Sequence, residues 1–242
     1  MVMLPLALLN GTALAAVTGF VYLPAAQSES TVSVSVDVGA RANGALRFVD
    51  PGVGRTGLVQ RVEGSWAAQP WLAVGAVGML SEANPDDAPV SAAGGAWMRV
   101  ARPEPDGAQI AGQVGGHREF SGGWAITAIA ILDVPLGAVR LGVAPAIEHR
   151  FVPDADAIDL MVPFAVDVGI GDRWRLGAEA IGQDLEAYVE AEEEEAEGGA
   201  TWLAAGTLSW KADHAHVALA PGVGIAPSGV GFAGRLVAGW DF

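Results

Sequence analysis

Four groups of residues in this chain have the types and spacing that chemistry requires. His214 and His216 lie two apart, so on a strand both imidazoles would point to one face, the beginning of a metal site. Zinc takes three or four donors and the only further one nearby is Asp213, so an ordinary turn competes with the metal reading. His149, followed by Asp154 and Asp156, sets an imidazole near two carboxylates, the raw material of general acid–base work, at a spacing that matches no specific signature. Gly52, Gly54 and Gly57 form a G-x-G-x-x-G, but a dinucleotide site would need a strand before it and a helix after it. Instead Asp50-Pro51 reads as a turn and Leu58 to Ala67 alternates like a strand, which leaves a loop. Glu186 and the run Glu190 to Glu197, broken only by Ala191 and Ala196, form the densest charge cluster. It reads as a solvated loop tip or as a binder of divalent cations, without the turn glycine and alternating ligands of an EF-hand. No catalytic residue, metal ligand or cofactor is assigned from these groups.

Composition narrows the elements that must hold such residues. The chain is 51% apolar with 33 glycines, and only 17% of its residues are charged, below the roughly 25% of an ordinary soluble domain. Mean hydropathy is +0.35, yet beyond the first 28 residues no long uncharged run stands out as a membrane helix. Apolar residues dealt out on alternate positions reconcile the two observations. A net charge of −15 excludes nucleic acid as a partner, because phosphate binding needs a basic surface. The absence of cysteine removes disulfides, thiolate metal sites and cysteine nucleophiles.

The closing stretch, Val230 to Phe242, is where alternation is clearest. Phe232, Gly234, Leu236, Ala238, Trp240 and Phe242 share one parity; Ala233, Arg235, Val237, Gly239 and Asp241 share the other. A period of two with both charges on one side marks a strand between two different solvents. Ending on Phe242 with Trp240 two before it, this strand resembles the last strand of Gram-negative outer-membrane β-barrel proteins. The resemblance implies that Trp240 and Phe242 form the signal read by the barrel-assembly machinery. It also implies an all-β, transmembrane, antiparallel up-and-down barrel in contact with the lipid bilayer and lipopolysaccharide of the bacterial outer membrane.

The rest of the chain supports that expectation independently. Strands are expected at 31–40, 58–67, 71–80, 93–102, 107–116, 123–132, 137–147, 160–170, 173–183, 201–211, 216–225 and the closing stretch, about twelve in all, an even number as bacterial barrels require. Connections alternate in length. Arg41 to Gly57, Ser81 to Ala92, Glu148 to Ile158 and Leu185 to Gly199 are long, whereas Ala68-Gln69-Pro70, Pro103 to Asp106, Asp133 to Leu136, Gly171-Asp172 and Ala212 to Ala215 are short. Two odd-numbered loops, His117 to Gly122 and Ala226 to Gly229, are short and depart from the pattern. Long outer loops and short periplasmic turns produce that sorting, and a soluble sandwich has no reason to. Trp66, Trp71, Trp174, Trp210 and Trp240 fall near one end of the strands and Trp97, Trp124 and Trp202 near the other, as two interfacial girdles would place them; Trp97, sharing a face with Arg99, fits least well.

An arginine on the lipid face at mid-bilayer costs ~2–4 kcal/mol, so charges on the polar parity are assigned to the lumen. These are Asp37, Arg61, Glu63, Arg140, Asp167, Arg175, Glu179 and Arg235, of both signs and able to pair across the barrel. Residues 1–28 lack charge and end in the small-x-small site Ala26-Gln27-Ser28, which reads as a cleaved signal peptide or an anchor, with the barrel at 29–242; no Lys or Arg precedes the apolar core, a departure from the signal pattern. The expected function is a small porin-like channel for passive passage of solutes. A non-conducting structural or adhesion barrel with acidic outer loops is the alternative, and an outer-membrane hydrolase the third reading. Outer-membrane phospholipases use Ser, His and Asn, but Asn43 and Asn84 fall in expected loops; outer-membrane proteases pair Asp with His at the outer rim, where His149, Asp154 and Asp156 would lie.

Overall fold

The computed structural model describes residues 30–40, 56–82, 91–102, 107–118, 123–151, 158–183, 185, 201–226 and 229–242. The expected leader, the acidic run 190–197, Asn43, Asn84, Asp154 and Asp156 lie outside the described residues. The strands are β1 (Thr31–Ala40), β2 (Thr56–Gln69), β3 (Leu72–Glu82), β4 (Ser91–Arg102), β5 (Gln109–Arg118), β6 (Trp124–Leu136), β7 (Val139–Val143), β8 (Ala146–Arg150), β9 (Asp159–Ile170), β10 (Trp174–Gln183), β11 (Thr201–Lys211), β12 (Ala215–Ala226) and β13 (Gly229–Asp241). Every pairing is antiparallel; strands adjacent in the chain pair except across β7 and β8, and β1 returns to pair with β13 from Thr31↔Asp241 to Ala40↔Phe232. The sheet is therefore closed and has no edge.

β7 and β8 are two halves of one barrel strand. Both pair with β6 on one side and β9 on the other, in unbroken register. Pro145 lacks the N–H that a ladder needs, and Pro163 lacks it in the adjoining strand. The remaining donors still cross the gap, from Ala130 N to the Pro145 carbonyl at 2.9 Å and from Ala144 N to the Pro163 carbonyl at 3.0 Å. Counted this way the barrel has twelve antiparallel strands, the architecture that alternation and loop lengths lead one to expect.

Side chains obey the two-residue period around the circuit. Val32, Val34, Val62, Phe164, Leu236 and Trp240 all point outward and are exposed, Trp240 at 55%. Inward positions carry Asp37, Asp133, Asp241, Ala220 and Ala233, each at 1% or less. The molecule is thus apolar outside and polar or small within, the reverse of a soluble domain and the arrangement a bilayer demands. Outward-facing Arg102 and Arg118 stand at the ends of β4 and β5, where the depth-dependent cost of a lipid-facing charge falls away.

Several boundaries differ from the sequence expectation. Asp133 to Leu136 is not a turn: β6 runs through Pro135 to Leu136, and the hairpin closes at Gly137-Ala138 with Gly137 at φ +67°. One proline near a strand end removes only one ladder donor, and glycine supplies the positive φ that a tight hairpin needs. β5 extends to Arg118 and β8 to Arg150, so His117 and His149 stand on strands rather than in outer loops. Trp97 is not a girdle residue: it shares the inward parity of β4 with Arg99.

Candidate functional site

The interior lining is the candidate site, and the register decides which side chains meet there. Asp37 and Arg235 lie directly opposite each other across the β1–β13 closure. Arg235 donates through both Nε and Nη2 to the two carboxylate oxygens of Asp37, and the pair is almost wholly buried, at 6% and 0%. That bidentate fork is the strongest geometry an Arg–carboxylate pair adopts. Toward the β6–β7 hairpin, Arg140 Nε donates to Asp133 Oδ1 at 2.7 Å while its Nη2 meets Oδ2. Arg140 also faces Asp167 in register, and Asp167 accepts from Arg175 Nε, so charges of alternating sign run across β6, β7, β9 and β10. Glu179 is buried on the inward face of β10 opposite Ala165 and Ala205.

A third group joins β2, β4 and β5. Arg61 Nη2 donates to Glu63 Oε2 at 2.8 Å, and Trp97 Nε1 donates to Glu63 Oε1 at 3.1 Å. Arg99 lies 4.9 Å from the Trp97 ring centroid and holds Gln113 Oε1 through Nε at 3.0 Å and Nη2 at 2.7 Å. At the opposite end, Glu148 accepts from Thr127 Oγ1 at 2.9 Å and from Arg150 Nε at 3.1 Å, with His117 Nε2 3.8 Å away. Arg150 reaches Asp159 as well, at 2.9 Å. Near the closing turns Lys211 meets Asp241 at 2.8 Å, and His216 Nδ1 lies 3.4 Å from the same carboxylate.

The eight lumen residues expected from the sequence, Asp37, Arg61, Glu63, Arg140, Asp167, Arg175, Glu179 and Arg235, all stand on inward positions. Arg99, Asp133, Glu148, Arg150, Asp159, Lys211 and Asp241 stand there too and were not on that list. Asp133 falls in the turn expected at Asp133 to Leu136 and Glu148 in the loop expected at Glu148 to Ile158, while Asp159 lies just before the strand expected at 160–170. Arg99 was visible by parity, but the girdle assignment of Trp97 obscured it. Among the described residues, Arg61, Arg99, Arg140, Arg150, Arg175, Lys211 and Arg235 face Asp37, Glu63, Asp133, Glu148, Asp159, Asp167, Glu179 and Asp241, so the lining is within one charge of neutral. The chain as a whole carries −15, and that surplus falls at the strand ends and in the connecting segments.

Other candidates disperse. His216 points inward to Asp241, whereas His214 lies in the turn and stacks on Trp240 at 5.8 Å, so the two do not share a site. No group of three or more His, Asp or Glu among the described residues is placed to hold a metal. His149 faces outward with its ring edge-on to Phe151 at 4.6 Å. Gly57 belongs to β2, and Gly52 and Gly54 lie outside the described residues. Trp240 is exposed on the outer face, and Phe242 N donates to the Ser30 carbonyl at 2.9 Å.

No protein-family model matches this sequence, and no curated protein does. Solved structures match over almost the whole barrel. An outer-membrane channel from Pseudomonas putida F1 gives a TM-score of 0.61 at 10% identity, covering 92% of this chain and 98% of that one. The KdgM porin, solved in complex with disordered oligogalacturonate, gives 0.59 at 10% identity, over 87% and 99%. The translocator domain of the autotransporter NalP from Neisseria meningitidis gives 0.54 at 10% identity, over 89% of each. The fold is that of a bacterial outer-membrane β-barrel. With its apolar side chains turned outward, this barrel is built for the bacterial outer membrane.

Proposed function

We propose that the protein is a small channel through which polar solutes cross the outer membrane passively, along a lumen lined by charges of both signs. The observation that carries this reading is the near-neutral inward face, in which Arg and carboxylate side chains pair on many of the strands. Paired charges present hydrogen-bonding edges to water and solute without a strong field of either sign, which suits low selectivity. Similarity in fold to a porin and to an outer-membrane channel is consistent with this role. A catalytic reading draws little support, because His149 points away from the interior.

A second reading has an observation of its own. Ile131, Ile181 and Leu203 point inward yet are 2% exposed or less, so parts of the interior are packed dry, as in a non-conducting structural barrel. Single-channel recording on the refolded protein in planar bilayers separates the two. Stepwise openings with little preference between K⁺ and Cl⁻ are expected. Repeated absence of openings from protein that still migrates as a folded barrel on an unboiled gel would leave the structural reading standing.

A further inference from the structure

We propose that Trp97 and the polar groups around it form a binding shelf for a saccharide ring in the lumen. This rests on the channel reading and names the class of solute taken. Trp97 breaks the pattern of the chain. Trp66, Trp124, Trp174, Trp202 and Trp240 are exposed on the outer face and Trp71 is exposed in the β2–β3 turn, whereas Trp97 occupies an inward position of β4. An indole turned against the binary pattern marks a place where a local rule gives way to function.

Its neighbours make room for it. The residues directly opposite Trp97 are Gly75 on β3 and Gly115 on β5. A Cβ on Gly75 would fall onto the indole, and one on Gly115 would lie 3.2 Å from Trp97 Cβ. The ring thus lies against the β3 backbone, in a place that only glycine leaves open. It is partly exposed, and nearby Arg61 and Glu63 keep 24% and 23% of their side-chain surface, against 6% and 0% for Arg235 and Asp37.

An indole that keeps part of its surface, beside an accessible carboxylate–guanidinium pair, suits one ligand chemistry. A pyranose ring has a face of C–H bonds for the indole and a rim of hydroxyls that both donate and accept. Glu63 supplies acceptors and Arg61 supplies donors, while Arg99, only 4% exposed, is held by Gln113 and braces the indole. An inorganic ion has no use for the indole, an alkyl chain none for the polar edge, and an organic cation would meet two arginines.

Titration calorimetry on the full chain folded in detergent tests this directly, with maltotriose and trimannuronate as neutral and acidic probes and polyethylene glycol of equal hydrodynamic radius as the control. Saturable binding of at least one trisaccharide and none of the polymer is expected. Trp97→Ala should weaken that binding about tenfold, Trp97→Phe should retain most of it, and Gly75→Val should match the alanine variant by displacing the ring. Each variant is first checked for the gel shift of a folded barrel. No binding of either sugar, or unchanged affinity in Trp97→Ala, would overturn the shelf. Conductance is recorded separately: binding without openings keeps the shelf and removes the channel, and openings without binding do the reverse.

Discussion

Two walls of the same lumen use the same chemistry to opposite ends. At the β12–β13–β1 closure the Asp37–Arg235 fork sits among Ala218, Ala220 and Ala233, all fully buried. Across β2 to β5, Arg61 and Glu63 form an equally plain ion pair, but beside Trp97, between glycines, and with about a quarter of each side chain still accessible. Coulomb attraction between desolvated charges is strong and their separation is costly, whereas accessible charges are screened and replaceable. The buried pair therefore ties β1 to β13, and on the proposed channel reading the accessible pair is the one that would meet solute. Residue type does not separate these roles; burial does.

The largest effect should come from breaking the closure. Arg235→Leu leaves the Asp37 carboxylate buried without its fork, a defect on the order of 3–5 kcal/mol. Urea unfolding of the vesicle-embedded barrel should register it, with much of the chain losing its unboiled gel shift. The double variant Asp37→Leu/Arg235→Leu, which removes both charges, should recover a large share of that loss. If the single variant unfolds like the parent, the closure pair is not structural. A smaller effect is expected from filling the bare wall. Ala220→Leu inserts bulk at a position with no exposed surface, which should cost about 1–3 kcal/mol by overpacking. The same exchange on the accessible wall, at Ser65, should cost less and narrow the conductance instead.

This contrast marks how far the sequence could be read. Strict alternation in Thr31–Ala40 and Leu160–Ile170 is enough to assign faces, because a period of two between two solvents leaves each strand little choice, whereas closure is what the resemblance of the last strand implies. Pairing was not legible. Asp37 and Arg235 are 198 residues apart, and nothing local to either announces the other. Charges near strand ends were also lost, since Pro135 beside Asp133 resembles a terminator until the Gly137 hairpin is seen two residues later. Parity sets Trp97 on one face with Arg99, a poor fit to the girdle expected of it, but its inward setting and the two glycines on other strands that make room for it emerge only from register.

The smallest expected change sharpens the comparison most. Arg61→Gln removes one cation from a lining already within one charge of neutral, while Glu63 keeps the Trp97 Nε1 bond that orients it. Because Arg61 is partly solvated, the stability change should stay within about 1 kcal/mol. If the proposed channel conducts beside this pair, the lumen gains a further negative charge on its path, so the reversal potential in a KCl gradient should move toward that of K⁺. Asp37→Asn, made in the buried pair, should do the opposite on both counts: a clear loss of stability and no shift in reversal potential among the barrels that fold. Matching shifts from the two variants would mean that both walls face the conducting path, and burial would no longer distinguish the pair that closes the barrel from the pair that meets its cargo.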